Sequence, residues 1–256
     1  VVVSAGALQK ATVRRQRLRG GASPSRRDDL RRRRWLILVP HPDDETLGAG
    51  QLICTLARAG RPPQVVFLTD GAASHPGSPT WPPPRLAARR RREACAALRD
   101  LMGPGSPPPL FLGWPDAQPS RAGEAAFDRT VGRLAGLMQR ARLSAIAATW
   151  AEEPHCDHAA AADLAQATAH RVRPRPDLYS YVVWGWAAPQ AARLATGPAI
   201  LLTPRGPDRW ARRRALTRHR SQLGALITDS PKAFRLPPSM AQTLPGAQLL
   251  LGPERP

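Results

Sequence analysis

Two stretches of this chain repeat one arrangement, and that repetition limits the possible fold more than any other feature. Each is an apolar run, then a tight cluster of His and Asp, then a segment with helical character. In the first, Trp35–Val39 is short, aliphatic and unbroken, as a strand covered on both faces must be. It leads through Pro40-His41-Pro42-Asp43-Asp44-Glu45 into residues 46–59, where Leu47, Ile53 and Leu56 are spaced for one helical face. In the second, residues 143–150 lead through Glu153-Pro154-His155-Cys156-Asp157-His158 into an Ala-rich helix over 159–169. Further strand signals at Gln64–Thr69, 107–113, 178–186 and 199–203 alternate with helix signals at 86–102, 122–141 and 208–226. The alternation predicts an α/β domain of Rossmann-like design, a mostly parallel sheet flanked by helices. In such sheets ligands bind beyond the carboxyl ends of the strands, and both polar clusters fall there.

The residue types in the first cluster suit a cation. His41 brings an imidazole, Asp43 and Asp44 bring carboxylates, and Pro42 holds the backbone of His41 extended. Adjacent carboxylates in a partly buried loop repel unless a proton or a cation separates them. A divalent metal would do so, with one Asp as ligand and its neighbour free to act as a base. The competing reading is a polar loop whose Asp caps a helix. In the second cluster His155 and His158 are three apart and share a face of the first helical turn, with Asp157 placed to hold an imidazole in one tautomer. Two such clusters at strand ends favour the metal over a pair of caps.

These residues resemble the PIG-L/LmbE-like zinc-dependent N-deacetylases. The family's first motif, (P/A)HPDDE after the first strand, is matched by Pro40 to Glu45, and its second, HPDH, by His155-Cys156-Asp157-His158, with Cys156 where the family has Pro. Thr69-Asp70-Gly71 after the second strand, Arg90 and Glu93 on the next helix, and Arg218-His219-Arg220-Ser221-Gln222 late in the chain also fit. The resemblance runs from about residue 35 to about 226 and implies a single LmbE-like domain. It implies Zn²⁺ held by His41, Asp44 and His158, though such a donor set also accepts Fe²⁺. Asp43 would be the general base, and His155, oriented by Asp157, would stabilise the oxyanion or protonate the leaving amine. Arg90 and Asp70 would contact substrate, and Asp116, after the third strand, would reach a sugar hydroxyl. For Arg90, pairing with acidic neighbours is an equal reading. The implied substrate is an N-acetylglucosamine-type conjugate, cleaved to acetate and a free amine.

Composition bears on partners. The chain of 256 residues carries 38 Lys+Arg against 19 Asp+Glu, a net charge of +19, and Lys10 and Lys232 are its only lysines. Such an excess raises the alternative of a basic nucleic-acid- or anionic-surface-binding protein without catalysis. The Arg residues are not interleaved with aromatics, and they accompany abundant Ala, Pro and Gly, which reads as compositional bias and leaves only peripheral contact with an anionic membrane as an expectation. Residues 1–34 are expected to be a solvated basic tail, 35–230 the domain, and 231–256 an irregular Pro-rich extension. Three widely spaced cysteines form no disulfide framework. With no apolar run of membrane-spanning length and no signal-peptide pattern, a cytoplasmic location is expected.

Overall fold

The computed structural model describes residues 24–195, 198–224, 226–243 and 246–254. Helix α1 (Pro24–Arg32) precedes β1 (Trp35–Val39), followed by α2 (Asp44–Leu47), α3 (Gly50–Arg58), β2 (Gln64–Thr69), α4 (Pro83–Met102), β3 (Leu110–Trp114), α5 (Ala125–Ala141), β4 (Ala145–Thr149), α6 (Cys156–Arg171), β5 (Asp177–Tyr181), β6 (Ala199–Leu202), α7 (Gly206–Arg218), α8 (Pro238–Thr243) and β7 (Gln248–Glu254). The seven strands form one sheet in the order β3-β2-β1-β4-β5-β7-β6. The ladders joining β1 to β5 are all parallel, while β7 runs antiparallel to both β5 and β6.

Strand alternation builds two core layers from one strand. Trp35, Ile37 and Val39 pack with α3, α4 and α7, through Leu52, Ile53, Leu56, Ala94, Leu98 and Leu216 among others. Leu36 and Leu38 pack on the opposite face with α5 and α6, through Val131, Leu134, Met138, Ala161 and Leu164. Every residue of β1 is therefore buried, which explains its continuous apolar run. The chain lays down β2 and β3 on one side of β1, then crosses back to place β4 on the other. The switch point at the carboxyl ends of β1 and β4 is where the two polar clusters meet.

Five expectations are corrected. The helix expected over 46–59 is two helices, because Gly48 lies hard against β5; a Cβ there would sit 2.5 Å from the Tyr181 ring and 2.6 Å from Val183. Gln248 bridges the break, accepting from the Gln51 and Leu52 N–H groups at 3.0 and 3.2 Å and donating to the Gly48 carbonyl. The strand expected over 178–186 ends at Tyr181, because the Glu153 carboxylate accepts the Val183 and Trp184 amides at 2.7 and 2.8 Å and draws the chain off the sheet. The basic helix expected to reach 226 stops at Arg218, since His219, Ser221 and Gln222 turn inward and are fully buried. The segment after 230 is not irregular throughout: Leu249 and Leu250 of β7 are buried in the sheet. At the other end α1 occupies part of the expected tail, its Leu30 buried and its carbonyl bonded by the Trp35 indole at 2.9 Å. Residues 1–23 lie outside the described residues. Among those described, no helix is long and apolar enough to cross a membrane.

Candidate active site

The β1 and β4 loops place three imidazoles together. The ring centroids of His41 and His158 lie 5.3 Å apart, and those of His41 and His155 4.7 Å. Between the first pair stands Asp44, its Oδ2 3.1 Å from His41 Nδ1 and 3.2 Å from His158 Nε2. Ligands around a tetrahedral zinc with bonds of about 2.0–2.1 Å are separated by about 3.3 Å, so these donor spacings suit one ion. His158 is fully buried and neither ring nitrogen has a hydrogen-bond partner of good geometry, which leaves Nε2 free to ligate. His41, His155 and His158 also each offer a nitrogen within 4.8 Å of the others. His41, Asp44 and His158 together do not form such a group among the described residues, so what fits a divalent metal is the histidine cluster with the Asp44 carboxylate beside two of its rings.

Electrostatics agree with that fit. Burial alone would raise the Asp44 carboxyl, yet the imidazoles of His158 and His41 hold it well below the usual carboxylate range. Burial alone would lower His158, yet Asp44 and Glu153 push it up to about 9. His41 is likewise driven well above its ordinary value against burial, by Asp116, Asp157 and Asp44. A pocket of carboxylates that retains protons on buried imidazoles is one that favours a dication in their place.

Asp43 sits beside this group without sharing it. Its backbone has φ 146°, a positive value that costs a non-glycine residue about 1–3 kcal/mol and persists only where the surroundings impose it. The Glu45 carboxylate accepts its N–H at 2.8 Å, its carbonyl accepts from Thr46 and Leu47 at 2.9 Å, and Arg90 lies 3.2 Å from its carboxylate. Burial raises the Asp43 carboxyl, Arg90 lowers it and Asp44 raises it, leaving it at about 6. A carboxyl titrating there is suited to accept a proton near neutral pH.

The other expected residues divide. Asp157 is fully buried and holds His41, not His155: its carboxylate is 2.8 Å from His41 Nε2 and 3.9 Å from His155 Nδ1. The reason is local. Asp157 opens α6 with its side chain turned inward to the β1 loop, where it also accepts the Ala117 amide at 2.9 Å, while its own N–H donates to His155 Nδ1 at 3.2 Å. That bond fixes the neutral His155 ring with its proton on Nε2; burial, then His41 and His158, lower its pKa and keep it neutral. Asp116 reaches His41 Nε2 at 3.3 Å and accepts the Ala73 amide at 2.8 Å. Arg90 is buried and donates to the Gly71 and Pro42 carbonyls, each at 2.7 Å, so it ties the two strand-end loops together. Asp70 accepts the Ala72 amide at 2.9 Å and does not line the cavity.

That cavity, about 240 Å³, opens beside these side chains, with His41, Asp43, Asp44, Arg90, Asp116 and His155 in its wall. Its outer wall holds Trp184, Phe234 and Lys232, none of which the motifs indicate. Glu153 stands directly before the second motif and Glu45 within the first, yet no residue pattern around either marks its role.

Residues 36–169, just over half of the chain, match the family described as PIG-L, GlcNAc-PI de-N-acetylase. The chain belongs to the PIG-L family. Membership makes it a hydrolytic N-deacetylase of sugar-type substrates. Among curated proteins there is no match to this PIG-L sequence. Solved structures share its fold. The zinc-inhibited form of teicoplanin deacetylase Orf2 has a TM-score of 0.58 at 20% identity, over 85% of this chain and 97% of that one. The deacetylase Dbv21, of antimicrobial reagent A40926 pseudoaglycone, has 0.57 at 22% identity, over 86% and 96%. GalB, the 4-carboxy-2-hydroxymuconate hydratase from Pseudomonas putida KT2440, has 0.57 at 21% identity, over 74% and 80%. A hydratase on the same frame shows that this fold serves more than one chemistry, so which side chains of this PIG-L member carry its hydrolysis must be argued from their geometry.

Proposed function

We propose that the protein is a zinc-dependent hydrolase that removes the acetyl group from an N-acetylglucosamine-type conjugate. The observation that carries this reading is the single carboxylate oxygen of Asp44 set 3.1 and 3.2 Å from two imidazole nitrogens, with a second carboxylate, Asp43, held alongside and facing the cavity. His41, Asp44 and His158 would hold the metal. When bound, the metal supplies a Lewis acid that polarises the amide carbonyl and acidifies water. Asp157 and Glu153 would orient the two imidazoles from behind. Asp43 would take the proton of the attacking water onto its carboxylate. His155, protonated on Nε2, would donate a hydrogen bond to the amide oxygen as negative charge develops there. Asp116 would present its carboxylate to a sugar hydroxyl, and the Trp184 ring would offer an apolar wall to the sugar or its aglycone. Asp70 would act on substrate only by shaping its loop, since its carboxylate accepts the Ala72 amide, whereas Arg90, which lines the cavity beside Asp43, would contact substrate while tying the two loops together.

The test is metal analysis joined to an acetate-release screen over N-acetylglucosaminides. About one zinc per chain is expected in the native protein, and metal at the background of the H41A/H158A double variant would refute the site. D43A should retain metal and lose about 10²-fold or more of turnover, as removal of a general base does. Retained turnover would remove Asp43 from that role.

A further inference from the structure

Glu45 and His219 are wholly buried and bonded to each other, and the chemistry above leaves both unused. Glu45 Oε2 accepts the Asp43 N–H at 2.8 Å, and Oε1 accepts the Thr46 hydroxyl at 2.7 Å and faces His219 Nε2 at 2.7 Å. The first two partners are within two residues of Glu45. His219 comes from the end of α7, 174 positions later, and is the one tertiary anchor of this carboxylate among the described residues.

Asp43 is the residue that needs an anchor. Arg90 holds its carboxylate, but its strained backbone is held at the N–H by Glu45 alone. We infer that His219, acting through Glu45, is a positioning residue for Asp43: it fixes the Glu45 carboxylate on the Asp43 amide and so keeps the base in its positive-φ conformation beside the metal donors. The α7 terminus thereby acts on a loop at the far end of the sequence. The catalytic consequence rests on Asp43 being the base; the conformational claim does not.

The experiment uses the full chain loaded with zinc, as H219A, H219Q and H219N. Crystal structures report the Asp43 conformation, and acetate release from p-nitrophenyl N-acetyl-β-D-glucosaminide reports kcat and KM. In H219A the Asp43 backbone should leave positive φ and its N–H should part from Glu45. Turnover should fall about 10²-fold, the scale of a misplacement of about 1 Å. KM should stay within about twofold, and zinc content should not change. H219Q, whose amide can still donate to Glu45, should recover most of the loss. Asp43 unmoved near 146° with its Glu45 bond intact in H219A overturns the inference, as does H219Q no better than H219A. Should H219A not fold, H219N fills more of the space while withdrawing the donor from Glu45, because its amide reaches the place of Nδ1 and not that of Nε2. The Asp43 displacement and the kcat loss at constant KM expected of H219A are then expected of H219N, and Asp43 unmoved with unchanged kcat overturns the inference. If the wild type releases no acetate from this probe, the functional reading fails, while the crystal structures still decide the conformational claim.

Discussion

Replacing Glu153 should damage stability and metal binding together, and by separable amounts. Its side chain is fully buried and accepts two backbone amides, from Val183 at 2.7 Å and Trp184 at 2.8 Å, while Oε2 lies 3.4 Å from His158 Nδ1. E153A leaves both donors without their acceptor. At about 1–3 kcal/mol for each unsatisfied buried group, the loss is about 2–6 kcal/mol. For a domain of this size each kcal/mol is about 2–4 °C of Tm, so a fall of about 5–20 °C is expected. Because Glu153 faces an imidazole of the proposed metal site, its removal should also weaken metal binding by about 10–100-fold. E153Q keeps one acceptor and should show roughly the smaller half of the stability loss. The neighbour Glu152 supplies the control, for it pairs with Arg193 at 3.0 Å on the surface, where such a pair contributes about 0–1 kcal/mol. Differential scanning calorimetry of the zinc-free proteins and competition titration with a zinc chelator measure the two effects. The reasoning is wrong if E153A melts within about 2 °C of E152A, or if its zinc affinity equals that of the wild type.

Three further outcomes follow from packing and thiol chemistry. G48A should destabilise by about 1–3 kcal/mol in urea titration, because the added methyl meets Tyr181 and Val183 at distances no core contact tolerates; a variant as stable as the parent would mean the α2–α3 break yields easily. Chain termination at residue 246 should give aggregated or protease-sensitive protein, since it removes β7 and leaves β6 without a sheet neighbour, and monomeric, protease-resistant material by limited proteolysis and gel filtration would contradict this. Cys54, its thiol pushed up to about 12 chiefly by burial, should resist dithionitrobenzoate at pH 8 until the protein is unfolded, whereas exposed Cys156 should react in the native state; three thiols titrating at once without denaturant would count against the fold around α3.

Much of the frame could be read in the primary structure because it rests on local pattern. Trp35–Val39, Gln64–Thr69 and the strand before the second motif are runs whose burial on both faces leaves no polar interruption, and the helices between them keep a regular apolar period. The convergence of His41 and His158 was legible for the same reason: each follows a strand, and parallel strands deliver their carboxyl ends to one edge. What stayed hidden depends on residues distant in sequence. Nothing near Gly48 announces that a tyrosine from β5 will occupy the space of its missing side chain. The apolar run Leu249–Leu250–Leu251 was masked by prolines on either side of it. Asp157 reads as a partner of His155 by proximity along the chain, yet only the packing of α6 against the β1 loop shows that its carboxylate goes to His41. Lys232 and Phe234 reach the cavity by way of a segment that carries no motif at all.

The adjacency of β1 and β4 has a consequence for how the enzyme matures. The pairing of Trp35 with Ala145 spans 110 positions, so the two halves of the proposed donor set come together only through a contact distant in sequence. Before β1 and β4 pair, His41 and Asp44 have no second imidazole beside them. Under the proposed ligand set, metal uptake would therefore report on closure of the sheet, and a bound ion would act as a latch on the joint between its two halves.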